Sequence, residues 1–492
     1  MIVRSANGSY EFIDFRETAP AAAFENMYKN NEDASLVGGL ASGVPGELRG
    51  LEHLHKNYGQ LPWSTVLSPA VKVAREGWLV NQDLVNYMKS AIASAGENAT
   101  SNFLVDDPEF ALDFAPRGRL LKLNETITRK RYADTLETIA KYGPDAFYEG
   151  PIAEATIRAL QSANGTMTME DLKNYTIAIR KPSTITYRDY KLTACSAPSG
   201  GEVTLSVLKI MEGYADIGDP LTINLTTHRL DEAMKFAYGM RTELGDPSYL
   251  KGIDEYQEDI MSAATAAEIR SKISDTRTFN TSYYNPRGLE SLETPGTSHI
   301  VAADHSGLSI SLTTTVNLLF GSKVVVPETG VIMNNEMNDF SIPNTTNAFG
   351  YIPSTANFVR PGKRPLSSIS PVIVEHLNAT SAADALYVSI GAAGGSRIIT
   401  ATIQNLIHIL DGGMTTAEAL AQPRIHDQLV PAQVSFEYAF NNGTTAFLKQ
   451  LGANVTWVAP GQSTAQGLRR LPNGTFEAAG EPRQKNSGGF AV

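Results

Sequence analysis

The chain of 492 residues predicts a layered α/β fold, and three observations carry that expectation. The first half is dominated by segments whose apolar residues recur with a spacing near 3.6. The second half turns to alternating apolar runs gathered around one hairpin. The strict strand–helix–strand alternation that builds a doubly wound parallel sheet is absent. With 42% hydrophobic and 19% charged residues the composition is that of an ordinary globular chain. Its length leaves room for roughly three domains of ~150 residues each. The net charge of −11, with no long Lys/Arg run, repels phosphate backbones, so nucleic acid is not an expected partner.

Taken in order, helices are predicted over residues 19–30 behind a proline, over 44–59 and over 65–78. Residues 131–150 and 151–165 form paired helices, and 166–175 opens with a Thr-x-x-x-Glu start. Residues 202–218 and 227–247 are further amphipathic helices, and 184–194 alternates as a strand or hairpin. Residues 282–296 carry no period and many turn residues, which marks a loop or linker. Beyond it, 299–316 is a hairpin, 324–335 and 370–395 carry strand patterns, 396–413 is a helix apolar nearly all round, and 415–428 is another helix.

Several chemistries are excluded. The single Cys195 closes no internal disulfide and its surroundings suit a buried inert thiol. The eight histidines are scattered, His53 and His55 do not share a helix face, and neither HExxH nor CxxC occurs, so no metal and no cofactor are expected. The glycine-rich 391–397 run lacks the Lys-Ser/Thr of a P-loop and the GxGxxG spacing of a dinucleotide site. No GxSxG elbow is present. Asn-x-Ser/Thr begins at Asn7, Asn98, Asn124, Asn164, Asn174, Asn224, Asn280, Asn344, Asn378, Asn442, Asn454 and Asn473, twelve sites in all. Chance predicts only about five, which favours a eukaryotic secretory-pathway protein, extracellular, vacuolar or membrane-anchored. The first residues nevertheless lack a basic stretch followed by a long apolar run, and no stretch of 18 apolar residues occurs.

The run ETPGTSH, ending at His299, places Thr297 at the mouth of the hairpin directly after Gly296. A threonine becomes a strong nucleophile when its own α-amino group is free to act as base, because that amine has a pKa of about 7.7–8.0. An internal threonine therefore needs the preceding peptide bond cut. Gly296, without a Cβ, permits the strained backbone that lets the Thr297 hydroxyl reach the Gly296 carbonyl for an N→O acyl shift and ester hydrolysis.

The runs FRETAPAAA, GGLASGVPGELRG, LPWSTVLSPAVKVAREG, GTSHIVAADHSG, TTTVNLLFGS, GVIMNNEMNDFS, NAFGYIPSTANFVRPGKRPLSSISP, GAAGGSRI and QPRIHDQL span most of the chain from Phe15 onward. In order and spacing they resemble the γ-glutamyltranspeptidase (glutathione hydrolase) family of N-terminal-nucleophile hydrolases, in its eukaryotic, fungal-like branch. The resemblance implies a four-layer αββα sandwich, cleavage at Gly296–Thr297, and two fragments, 1–296 and 297–492, held in one intertwined domain. It implies Thr297 as nucleophile, Thr315 as the hydroxyl that orients it, and Gly394 and Gly395 as the oxyanion hole. It gives the α-ammonium of a γ-glutamyl substrate to Asn317, Glu336 and Asp339, and the α-carboxylate to Arg16, Ser367 and Ser368. The residue types suit those tasks, since an Asp/Glu pair attracts an ammonium and a planar guanidinium meets a carboxylate with two hydrogen bonds. Taken singly, Asp339 suits a turn cap, Ser367 and Ser368 a plain loop, and Arg16 a surface ion pair. The implied substrates are glutathione and related γ-glutamyl compounds, with water, amino acids or dipeptides as acceptors. A related amide acylase and a non-catalytic relative are the competing functions. Because Arg16 stands so near the start, the resemblance further implies an N-terminally incomplete chain, expected to misfold or fail to mature as written.

Overall fold

The computed structural model describes residues 1–93, 102–289, 296–343 and 352–492. The glycosylation-type sites at Asn98 and Asn344, residues 290–295 of the expected linker and residues 347–351 of the family-like runs lie outside them.

Eleven strands build two sheets. They are β1 (Ile2–Arg4), β2 (Tyr10–Asp14), β3 (Ala178–Arg180), β4 (Ser183–Tyr187), β5 (Tyr190–Ala194), β6 (Thr297–Ala303), β7 (Ser309–Thr315), β8 (Val372–His376), β9 (Leu386–Ala393), β10 (Thr464–Arg470) and β11 (Phe476–Ala479). The first sheet runs β3-β2-β1-β7-β6 and the second β11-β10-β9-β8-β5-β4, every pair antiparallel. Each sheet therefore mixes strands from either side of Gly296.

Alternation along the strands decides which side chains lie where. Ile2 and Phe12 face the second sheet and pack with Cys195, Ile373 and Leu386. Their neighbours Val3 and Ile13 face outward, where they meet Leu51 and Leu54 of helix α1 (Glu47–Tyr58). On the far side, Ile185, Leu192, Val372, Val374, Val388 and Ile390 pack under helices α2 (Gly201–Met211), α3 (Ile223–Arg241) and α4 (Arg397–Leu410). Helix, sheet, sheet and helix make the four layers of an αββα sandwich. The sheets approach closely because Gly391 in β9 has no side chain; a Cβ there would fall on the His299 ring of β6. Ser311 Oγ also donates across the gap to the Ile390 carbonyl at 3.1 Å.

Five local expectations fail, among them the helix over 415–428, which ends at Ala421 and gives way to a short strand at Ile425–His426. Residues 19–30 form successive turns rather than a helix: Ala23, Met27 and Asn31 donate to the carbonyls of Pro20, Phe24 and Tyr28. Ala19 is tied to the Lys363 carbonyl at 2.8 Å, and buried Tyr28 donates to the Leu40 carbonyl at 2.7 Å, so tertiary anchors override helix propensity. Residues 324–335 keep a single bridge, Val325 to Ile332, because Pro327 removes a ladder donor and Gly330 turns with φ +67°. Helices α2 and α3 are buried almost all round, not amphipathic, because they lie between the second sheet and outer helices. The Thr166 start is displaced: Thr168 caps the Met169–Lys173 helix in a box with Asp171, since reciprocal capping needs a spacing of three. Strands β1, β2, β10 and β11 carry no pattern strong enough to be foreseen from the sequence.

One buried ion pair joins the sheets. Arg4 in β1 is fully buried, and its Nε donates to Glu375 of β8 at 2.7 Å. Its other nitrogens reach the carbonyls of Gly307 and Ala382. Arg4→Met leaves Lys191, at 3.0 Å, as the remaining cation on Glu375 among the described residues, and is expected to cost about 3 kcal/mol. An unchanged urea midpoint would refute this.

Candidate active site

Thr297 opens β6 and stands in register opposite Thr315, the last residue of β7. Its hydroxyl donates to Thr315 Oγ1 at 3.3 Å. Thr315 Oγ1 in turn donates to the Gly296 carbonyl at 3.1 Å and accepts from the Asn317 amide at 2.7 Å. One hydroxyl thus touches both the Thr297 hydroxyl and the carbonyl of the bond before it. Gly296 has φ +146°, and a Cβ there would run into the backbone carbonyl of Asn317. No other residue fits that approach. Asn317 sits at φ 69°, a left-handed conformation that asparagine tolerates better than most residues, with its amide donating to the Asn335 carbonyl at 2.9 Å. Asn335 Oδ1 accepts from Leu318 at 3.0 Å and completes the clasp.

Ten residues of this neighbourhood, Arg16, Thr297, Thr315, Asn317, Glu336, Asp339, Ser367, Ser368, Ile369 and Gly395, line one small cavity together with Ile398. Every residue singled out from the sequence is on its wall or adjacent to it: Gly296 and Gly394 are chain neighbours of lining residues. Gly394 and Gly395 form the junction between β9 and α4, at φ +123° and +61°. A Cβ on Gly394 would stand 2.5 Å from the Gln462 carbonyl. Tyr238 of α3 donates to the Ser396 carbonyl at 2.5 Å and steadies this turn, so the positive end of α4 faces the cavity.

The structure joins two groups that the sequence kept apart. Arg16, expected on the carboxylate side, pairs directly with both Glu336 and Asp339, expected on the ammonium side. Opposite charges enclosed together have no water to satisfy them and so satisfy one another. Burial works against the Arg16 charge, but Glu336 and Asp339 outweigh it and raise its pKa. Burial pushes Glu336 well above the usual carboxylate range against the pull of Arg16. Beside them, burial pushes Glu17 up to about 7. Asn317 Oδ1 and Glu336 Oε2 have no hydrogen-bond partner among the described residues and remain available as acceptors.

Sequence reasoning overlooked Arg241, the last residue of α3, whose Nη2 donates to Ser368 Oγ at 3.1 Å. Nothing in its local pattern separates it from a helix-terminal surface arginine. Away from the cavity, His228, Asp231 and Glu232 lie close enough together to resemble a metal-binding set. The Lys235 ammonium already donates to Asp231 at 2.6 Å and to Glu232 at 3.1 Å, so the acidic pair has a resident cation.

A threonine hydroxyl opening a strand of an αββα sandwich, with a neighbouring hydroxyl on its own preceding carbonyl, is the arrangement of the N-terminal-nucleophile hydrolases. The gamma-glutamyltranspeptidase family model matches residues 1–491, and the chain belongs to that family. It is 54% identical over its full length to a glutathione hydrolase proenzyme of Arthroderma benhamiae, covering 82% of that protein. It is 49% identical to a glutathione hydrolase of Aspergillus flavus, covering 100% of this chain and 81% of the relative. Among solved structures it is similar to the cephalosporin acylase of Bacillus halodurans, with a TM-score of 0.82 and 26% identity over 100% of this chain and 86% of that one.

Arg16→Met removes the cation that pulls Glu336 down, so that carboxyl's folded-state pKa rises further above its unfolded value. A group shifted this way favours folding when protonated, and its contribution is lost as pH rises toward the folded pKa. The variant is expected to lose about 3–5 kcal/mol near pH 7.5, with a smaller deficit against wild type at pH 5. A deficit flat across that range would refute the buried-pair assignment.

Proposed function

We propose that this chain cleaves and transfers γ-glutamyl groups, acting on glutathione and related γ-glutamyl amides. The observation that carries the proposal is the single cavity holding the Thr297–Thr315 hydroxyl pair together with Arg16, Glu336 and Asp339. A γ-glutamyl group has a zwitterionic head at one end and the reacting carbonyl at the other, and the cavity offers complementary groups at both. Arg16, Ser367 and Ser368 take the α-carboxylate. Asn317 Oδ1, Glu336 Oε2 and Asp339 take the α-ammonium. The incoming zwitterion exchanges with the Arg16 ion pairs, so no net charge is buried.

Maturation comes first. Thr297 Oγ attacks the Gly296 carbonyl carbon, polarised by the Thr315 hydroxyl, and the C–N bond breaks as the ester forms. Water then hydrolyses the ester, leaving a Gly296 carboxylate and a free Thr297 amine. That amine takes the proton of Thr297 Oγ as it attacks the γ-carbonyl. The amides of Gly394 and Gly395 receive the oxyanion, a contribution of about 10²–10³ in rate for each donor. The leaving amine departs with a proton returned by the Thr297 ammonium. Water, or the amine of an amino acid or peptide, then resolves the γ-glutamyl ester, giving ping-pong kinetics. Fragments 1–296 and 297–492 stay together as one domain because both sheets use strands from each.

The likeness to a cephalosporin acylase raises amide acylase activity as a second reading. A substrate without an α-amino group has no use for the buried carboxylates of Glu336 and Asp339, which favours the γ-glutamyl assignment. We further infer passage through the secretory pathway. Of the ten acceptor asparagines among the described residues, nine are exposed and only Asn224 is partly covered, which supports that inference.

Wild-type protein is expected to show two bands on a denaturing gel and to release aniline from a γ-glutamyl anilide. Thr297→Ala is expected to remain one band and to lose activity to background. Equal turnover by both proteins, or turnover by an uncut wild-type chain, would remove Thr297 from the mechanism.

A further inference from the structure

Arg241 is buried to within 5% of complete enclosure, yet among the described residues no carboxylate is ion-paired with it. Its side chain donates to Ser368 Oγ at 3.1 Å, and its Nε has no partner among those residues. A buried cation satisfied only by a neutral hydroxyl is costly unless an anion arrives beside it. Ser368, through which it acts, lines the cavity next to Arg16.

The bond also orients Ser368. By accepting from the guanidinium, the hydroxyl oxygen commits a lone pair to Arg241 and turns its own proton away from it. Among the described residues no hydrogen bond donated by that hydroxyl is seen, and Ser368 lines the cavity. Burial lowers the Arg241 pKa, Asp339 opposes that shift and Arg16 adds to it, so the two arginines raise the positive potential over one end of the cavity.

We propose that Arg241 is a positioning and specificity-determining residue: it holds Ser368 as a polarised donor toward the substrate α-carboxylate and supplies the second cation that selects substrates bearing one. This rests on the γ-glutamyl assignment above and deepens it. The two arginines then balance Glu336 and Asp339, and the zwitterion adds no net charge. Arg241 touches no reacting atom, so its effect belongs in substrate binding rather than in the chemical step.

The test compares wild type, Arg241→Met, Arg241→Lys, Ser368→Ala and the Met/Ala double variant on two substrates. One is a γ-glutamyl anilide, and the other is the 4-aminobutanoyl anilide, which lacks only the α-carboxylate. Arg241→Met is expected to raise KM for the first by about tenfold or more, with kcat within about threefold. Its kcat/KM for the second is expected to stay unchanged. Arg241→Lys is expected to recover part of the loss, and the double variant to be no worse than the poorer single variant. Equal losses on both substrates, or additive losses in the double variant, would overturn the proposal. Self-cleavage on a denaturing gel reports folding for every variant. If Arg241→Met fails to fold, Arg241→Lys decides by the same comparison of substrates. Calorimetric binding of glutamate separates this proposal from the broader one. If wild type binds glutamate but turns over no anilide, the catalytic assignment fails. If Arg241→Met binds glutamate as tightly as wild type, the role of Arg241 fails.

Discussion

The buried triad of Arg16, Glu336 and Asp339 is the constraint around which the site is organised. These three side chains come from the loop after β2 and from a turn more than three hundred residues later, and they meet buried on the wall of one cavity. Two carboxylates and one guanidinium leave a negative excess, which the buried Arg241 nearby offsets. Such a cluster is weak evidence for stability, because desolvation offsets most of the attraction. Its place is to hold three buried charges together on one wall of the cavity, each satisfied by another.

The second constraint is steric and lies in the backbone. Gly296 and Gly394 both occupy positive-φ conformations with a carbonyl where a Cβ would go. The first brings the chain ahead of Thr297 against Asn317, and Thr315 against the Gly296 carbonyl. The second brings the head of α4 against the strand leading into β10. The two turns are held from opposite layers, one by the β6–β7 hairpin and one by Tyr238 of α3. Hairpin and helix can then approach one cavity from both sheets of the sandwich. Sheets that close need small residues between them, which is the place of Gly391 beneath His299.

Much of this was legible in the chain itself. The β6–β7 hairpin follows from period-two alternation around Asp-His-Ser-Gly, and α4 from a continuous apolar run after a glycine-rich turn. Thr297, Thr315, Asn317 and the paired acids were singled out by the family resemblance, and they line one cavity. Short strands such as β1 and β11 were not legible, because three or four residues carry too little period to stand out. The turns at 19–30 were misread for a related reason: the helix pattern was present locally, but hydrogen bonds to Lys363 and Leu40 were stronger.

By itself, the sequence determined which residue types were available at which intervals, and hence the hairpin, the buried helices and the identity of the groups around Thr297. Tertiary structure alone decided that Arg16 pairs with the acids rather than standing apart from them, and that Arg241 stands behind Ser368. The reason is physical. Spacing along a chain records backbone geometry, whereas the partner of a buried charge depends on which distant segment is enclosed with it once water has been excluded.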